Sequence, residues 1–197
     1  MRRRELVAGA VLTGLLAIAA PAQVIEFESA GLKYKTLTRR GVTIMFAPLP
    51  PQVRGYAAIQ VAVSNGSQDR VAIHPEQFEY KLSDGTVVPA SSAENVISSL
   101  IQRASRDDVI KLVTAYEAGL YGIVRFRSTN GYEKRRQAAL AEVSSTKLKA
   151  AAAASAIAYI GEDLRAGAST DGVVFFYTNG RSLEGGNLVV RAINEVF

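Results

Sequence analysis

The chain has 197 residues, of which 48% are hydrophobic and 21% charged, with no cysteine, no tryptophan and one histidine. That length and balance fit one globular domain with a real core and exclude long disorder. The lack of cysteine excludes disulfides, thiol catalysis, thiolate metal sites and attachment through a lipidated N-terminal cysteine.

The net charge of +5 includes Arg2, Arg3 and Arg4; without residues 1–22 the chain holds 20 basic and 17 acidic residues, a net +3. A surface so mildly cationic suits nearby anionic lipid or polysaccharide and is too weak to argue for nucleic acid. The opening "MRRRELVAGAVLTGLLAIAAPAQ" has a basic start, an apolar run from Leu6 to Ala20, and small residues at Ala20 and Ala22. This pattern predicts a secretory signal over 1–22, cut before Gln23, leaving 23–197 as one domain. An uncleaved anchor is the alternative, because the uncharged stretch reaches Ile25 and about 20 apolar residues span a bilayer. Pro21 and the Ala/Gly content weigh for cleavage. The expected destination is periplasmic or extracellular, with an N-terminally membrane-anchored form as the alternative.

After Gln23 the sequence reads as strands. Leu32, Tyr34, Thr36 and Thr38 alternate with Lys33, Lys35 and Leu37; Arg39-Arg40-Gly41 makes a turn. "VTIMFAPL" is a second β run, expected to end at Pro48, Pro50 and Pro51. In "YAAIQVAVSN", Ala57, Ile59, Val61 and Val63 face one way and Gln60, Ala62 and Ser64 the other, predicting a half-buried strand. "NGSQDR" turns the chain. Phe78, Tyr80 and Leu82 then alternate with Glu79, Lys81 and Ser83, and Asp84-Gly85 is a hairpin signal.

From Ser91 the period changes to that of a helix. Ser91 with Glu94 reads as a capping box, followed by Val96, Ile97, Leu100, Ile101 and Ala104 along one face. Ser105 with Asp108 repeats the device before Val109, Leu112, Val113 and Tyr116. "EAGLYGIVRFRSTNG" is ambiguous because its glycines weaken a helix. "YEKRRQAALAEVSSTKLKAAAAASAIA" is helix-prone to about Ala154, with a break at Ser144-Ser145, and its alanine run reads as helix propensity. No repeat appears elsewhere.

The last quarter returns to β structure through Gly172-Val173-Val174-Phe175-Phe176-Tyr177, six residues without charge. Such a strand is expected at the centre of the fold, covered on one face by a facing sheet and on the other by the helical block.

Val61 and Val63, Asn65, Pro75 with Phe78, Asp84-Gly85, and Gly167 with Gly172 form a pattern over roughly 56–90 and 163–194. In these residues the chain resembles the secreted immunoglobulin-like domains of bacterial envelope proteins. The resemblance implies an antiparallel β-sandwich, here mainly β with a helical insertion at about 91–155 in place of a short loop. It also implies an extracytoplasmic binding or structural module with no catalytic residues to carry across.

The residues agree with that implication. His74 has no second imidazole or thiolate for a metal and reads as a surface or capping residue. Asp107-Asp108 and Glu162-Asp163 are carboxylate pairs of the kind that hold a hard cation, but Asp107-Asp108 reads as helix N-terminal charge, and Asp84-Gly85 lacks the spaced oxygens of a calcium loop. "SSTK" (144–147) has the Ser-x-x-Lys spacing of an acyl-enzyme without its companion motifs. No catalytic, cofactor or metal residues are therefore assigned. Arg125, Arg127, Lys134, Arg135 and Arg136 form a basic cluster that is the candidate partner-binding set, for an anionic lipid headgroup or polysaccharide.

The expected function is a non-catalytic envelope module for protein binding or assembly, partnered by an envelope protein or a second copy, with the helical insertion as its specific surface. The alternative is a small periplasmic hydrolase or metal-dependent enzyme with a site between insertion and sandwich. On the favoured reading, deleting 93–154 leaves a folded β protein.

Overall fold

The computed structural model describes residues 24–122, 131–141, 145–191 and 195–196. The expected export segment and part of the basic cluster, Arg125 and Arg127, lie outside the described residues.

Three tight hairpins open the chain: β1 (Ile25–Ser29), β2 (Leu32–Arg39), β3 (Val42–Val53) and β4 (Tyr56–Asn65). Each connection is two residues long, Ala30-Gly31, Arg40-Gly41 and Arg54-Gly55, and every one of the six has positive φ. That is the type I′ geometry whose twist matches the flanking strands. β5 (Val71–Ile73), a 3-10 turn at Pro75–Gln77, β6 (Phe78–Lys81) and β7 (Val87–Ser91) follow. Four helices then precede the remaining strands: α1 (Ala93–Arg103), α2 (Arg106–Gly122), α3 (Tyr132–Ala141) and α4 (Thr146–Ile157). The chain closes with β8 (Glu162–Leu164), β9 (Ser169–Tyr177), β10 (Asn187–Val190) and β11 (Glu195–Val196).

Nine strands pair antiparallel into one curled sheet, in the order β1-β2-β3-β4-β9-β7-β6-β10-β11, while β5 and β8 form a separate pair. The protein is therefore mainly antiparallel β with a layer of helices. The two β-rich portions meet directly, since β4 lies along β9 from Tyr56↔Tyr177 to Ser64↔Ser169.

Two cores explain why β4 and the Gly172–Phe176 part of β9 are uncharged on both faces. Inside the curl, Ile44, Phe46, Ile59, Val61, Phe78, Val174, Phe176 and Leu188 pack together. On the outer face Leu49, Val53, Ala58, Val173 and Phe175 meet Val96 and Leu100 of α1, Leu112 of α2, and Ala154 and Ile157 of α4. Each fully buried large aliphatic or aromatic side chain contributes roughly 1.5–3 kcal/mol. The two-sided cover expected for Val173–Tyr177 holds through Phe176; Tyr177 is 53% exposed.

Several local expectations change. β4 is buried on both faces, not half-buried, because Gln60 and Ala62 lie in the interior and Gln60 accepts a hydrogen bond from the Tyr34 hydroxyl at 3.1 Å. The α1 cap is Ser92, whose Oγ accepts the Asn95 amide; Ser91 is still paired to Phe175 in the sheet. Val96, Leu100 and Ala104 face inward as expected, whereas Ile101 points to solvent.

α2 runs through Gly122 over the first part of the ambiguous stretch. It carries the expected capping box: Ser105 N–H and Oγ donate to Asp108 Oδ2, and Asp108 N–H donates to Ser105 Oγ. The alanine run does more than favour helix. Ala150, Ala151, Ala153, Ala154 and Ala156 are all buried, because α4 touches α1, α2 and α3 and only small side chains allow that approach. The helical block is consequently no removable guest. Cutting 93–154 would strip the cover from Leu49, Val53, Ala58, Val173 and Phe175, against the expectation that the deletion folds.

Candidate functional site

The curled sheet has one closed end and one open end. At the closed end, β5 and β8 pair across the interior, with Ile73 and Leu164 in the inner core. Tyr159 plugs the same end, edge-on to Phe78 with ring centroids 5.4 Å apart. Asn65, fully buried, ties the loops there: its Nδ2 donates to the carbonyls of Asp69 (2.7 Å) and Leu164 (2.9 Å), and its Oδ1 accepts from Ser67 N–H and Oγ. Asn65-Gly66-Ser67 is thus a structural latch with its amide fully buried.

The open end has a cleft of about 780 Å³, and its origin is readable in the strand ladder. β2 pairs with β3 from Arg39↔Val42 only as far as Lys35↔Phe46. Continuing the register would set Lys33 opposite Pro48, which has no N–H to donate. β3 carries on alongside β4 through Pro48 and Leu49, with a register shift before Val53. The prolines therefore do not end β3, as the sequence led us to expect; they sit where its β2-side edge is free. The β1–β2 arm and the Pro48–Pro50 segment form the two lips. Tyr80 and the Leu183–Gly186 loop form the floor. A second, smaller hollow of about 370 Å³ continues past Pro48–Pro50 to Gln52, whose Nε2 donates to the Arg181 carbonyl at 2.6 Å.

Charge on the cleft comes mostly from the arm. Cross-strand pairs Glu26↔Lys35 and Glu28↔Lys33 share one face, and Glu26 forms an ion pair with Lys35 at 3.4 Å. With Glu184 the lining holds three carboxylates and two ammonium groups, a net −1 on a cationic chain. On the opposite face of the arm, Phe27 stacks on Tyr34, ring centroids 5.2 Å apart and planes 13° apart. Burial pushes the phenols of Tyr34 and Tyr80 up to about 12, so both stay protonated donors at neutral pH, Tyr80 to the Leu183 carbonyl at 2.7 Å. The lining thus combines cross-strand charges with aromatic rings, while both hydroxyls are engaged inside the fold.

The sequence-predicted residues fall elsewhere. Lys134 is exposed on α3, but Arg135 is half-buried and its Nε donates to the Ala156 carbonyl, fastening α3 to the end of α4. Successive helix positions diverge by about 100°, so Lys134 and Arg135 do not form one patch; Arg136 lies in the same helix. His74 sits at the closed end, its backbone N–H donating to Gln77 Oε1 at 2.7 Å. Asp107 and Asp108 occupy the first turn of α2. Burial disfavours the charged form of Asp108, yet hydrogen bonds from Ser105 and the Arg54 guanidinium hold its carboxyl below the usual range. Of "SSTK", Ser144 lies outside the described residues, and Lys147 Nζ donates to the Gln102 carbonyl. Among the described residues no three His, Asp or Glu side chains gather as a metal site, and no helix is long and apolar enough to cross a membrane.

In sequence, the residues of the mouth look like ordinary strand residues. The available signal was the Lys-x-Lys and Glu-x-Glu alternation beside a proline cluster. No known protein family, curated protein or solved structure matches the chain.

Proposed function

We propose that this chain is an exported, non-catalytic binding module of the bacterial cell envelope that holds a protein partner at the mouth of its curled sheet. The single observation that carries the reading is the 780 Å³ cleft between the β1–β2 arm and Pro48–Pro50, lined by aromatic and paired charged groups. The N-terminal pattern of residues 1–22 supports export. In this reading the two portions resembling immunoglobulin-like envelope domains form one sandwich-derived β framework, and the helices at about 91–155 are an insertion that thickens it. The partner surface moves from the helices to the mouth, because Val96, Leu100 and Leu112 are spent on the outer core.

Isolation from native envelope with intact-mass measurement tests this. The expected chain begins at Gln23 and carries a stoichiometric partner that is lost when Phe27 and Glu184 are both replaced by alanine. A chain recovered in the cytoplasm with residues 1–22 intact, or capture indifferent to the double substitution, refutes it.

A further inference from the structure

We infer that β1 is a strand-docking edge that accepts an extended segment alternating basic and apolar residues. The inference rests on the reading of the mouth as the binding surface and names the chemistry of the occupant. Among the described residues β1 ends the nine-stranded sheet and pairs with β2 in an unbroken register of five pairs, with no proline or bulge. Sheet edges are commonly blunted by such devices, or by lysine, to prevent pairing with other chains. β1 instead leaves Ile25 58% and Phe27 39% exposed on one face. Its other face presents Glu26 and Glu28 to the cleft.

Charge chooses the occupant. Antiparallel pairing of β1 with β1 of a second copy, in any register that keeps the apolar side chains together, sets glutamate opposite glutamate. Parallel in-register pairing also stacks like charges. Like charges directly opposite destabilise a strand pair, and opposite charges stabilise it. A segment with Lys or Arg facing Glu28 and Glu26, and apolar residues facing Ser29, Phe27 and Ile25, satisfies both faces. β2 already solves the same problem on the inner side of β1, with Leu32, Lys33, Tyr34, Lys35 and Thr36 against those five residues. The net negative cleft beside the edge favours the same cationic segment over an acidic one. Main-chain hydrogen bonds supply the affinity and the alternating side chains the selectivity.

The test uses two end-capped pentapeptides, Val-Lys-Val-Lys-Val and Val-Glu-Val-Glu-Val, added to the isotope-labelled full chain and followed by amide NMR. The basic peptide should shift Ile25–Ser29 and slow their hydrogen exchange, binding about tenfold tighter than the acidic one at low salt. That preference should collapse at 1 M salt, where screening reaches within about 3 Å. Glu26→Gln with Glu28→Gln should bring the ratio of the two affinities to about one while the remaining spectrum is unchanged. Equal binding of both peptides, shifts confined to other elements, or no response of β1 to either peptide overturns the inference. The envelope isolation above is a separate readout, so the module reading can survive that failure.

Discussion

Gly172 marks the place where the helical layer returns to the sheet, and replacing it probes that junction. The Ala158–Tyr159 backbone crosses directly over Gly172, Tyr159 N–H donates to the Val173 carbonyl at 2.9 Å, and Ala158 bridges Val173 in parallel. A Cβ on Gly172 would lie 2.5 Å from Tyr159 Cα and 2.8 Å from Tyr159 N. Both are backbone atoms that cannot swing aside, so Gly172→Ala must push the crossing away from β9. Over-packing of this kind costs about 1–3 kcal/mol, and the displaced hydrogen bond adds about 1 kcal/mol. The edge contact of Tyr159 with Phe78 is weakened as well. A total near 3 kcal/mol is a large share of the 5–15 kcal/mol typical of a domain. With a urea slope of about 2 kcal/mol per molar, the unfolding midpoint should fall by roughly 1.5 M. Elsewhere in a strand, glycine to alanine is neutral or stabilising, so the sign is diagnostic. A midpoint within about 0.3 M of the parent would refute the crossing.

Leu100→Ala should cost about 3 kcal/mol by emptying the outer core, while its exposed neighbour Ile101→Ala should stay within about 0.5 kcal/mol; equal losses in urea titrations would mean α1 is turned otherwise. Asn65→Ala removes the donor for two carbonyls and the acceptor for Ser67, which should cost about 3 kcal/mol. The melting temperature should then fall by roughly 9 °C, and an unchanged melt would contradict the latch. Asp108 has a lowered folded pKa, so its stabilisation is present above the ordinary carboxyl value near 4 and lost as pH falls through the folded value. Asp108→Asn should therefore narrow the difference between urea midpoints measured at pH 6 and pH 3; an unaltered difference would show that the Ser105 and Arg54 hydrogen bonds do not favour the charge.

The framework was legible where one side-chain period dominates a segment. β4 and β6 follow from their apolar alternation, β9 from its uncharged run, and α2 from Ser105 with Asp108. Asp84-Gly85 gave the β6–β7 hairpin because it is the usual turn chemistry, with Gly85 N–H donating to the Leu82 carbonyl. Ala30-Gly31 and Arg54-Gly55 are tighter, two-residue turns in which Ala30 and Arg54 take positive φ that their side chains do not favour, so no local signal announced them. Whether a strand is buried on one face or two is a tertiary matter. Gln60 reads as polar and solvent-facing until Tyr34, 26 residues earlier, is seen to donate to it. The cleft was illegible for a related reason: it arises where β2 and β3 stop pairing, and Pro48 opposite the continuation of β2 gives that a cause only once the register is known. Of the basic cluster, Arg135 serves the α3–α4 contact, a role that charge density along the sequence does not announce, while Arg125 and Arg127 lie outside the described residues.

Site-specific photo-crosslinking in native envelope tests most directly the proposal that the mouth of the curled sheet holds a protein partner. A photoreactive benzoylphenylalanine at Phe27 or Glu184 should yield one discrete higher-mass adduct, and the same group at Lys134 or Gln137 on α3 should yield none. Adducts from α3 with none from the mouth would contradict a binding surface built from the β1–β2 arm and the cleft beside it.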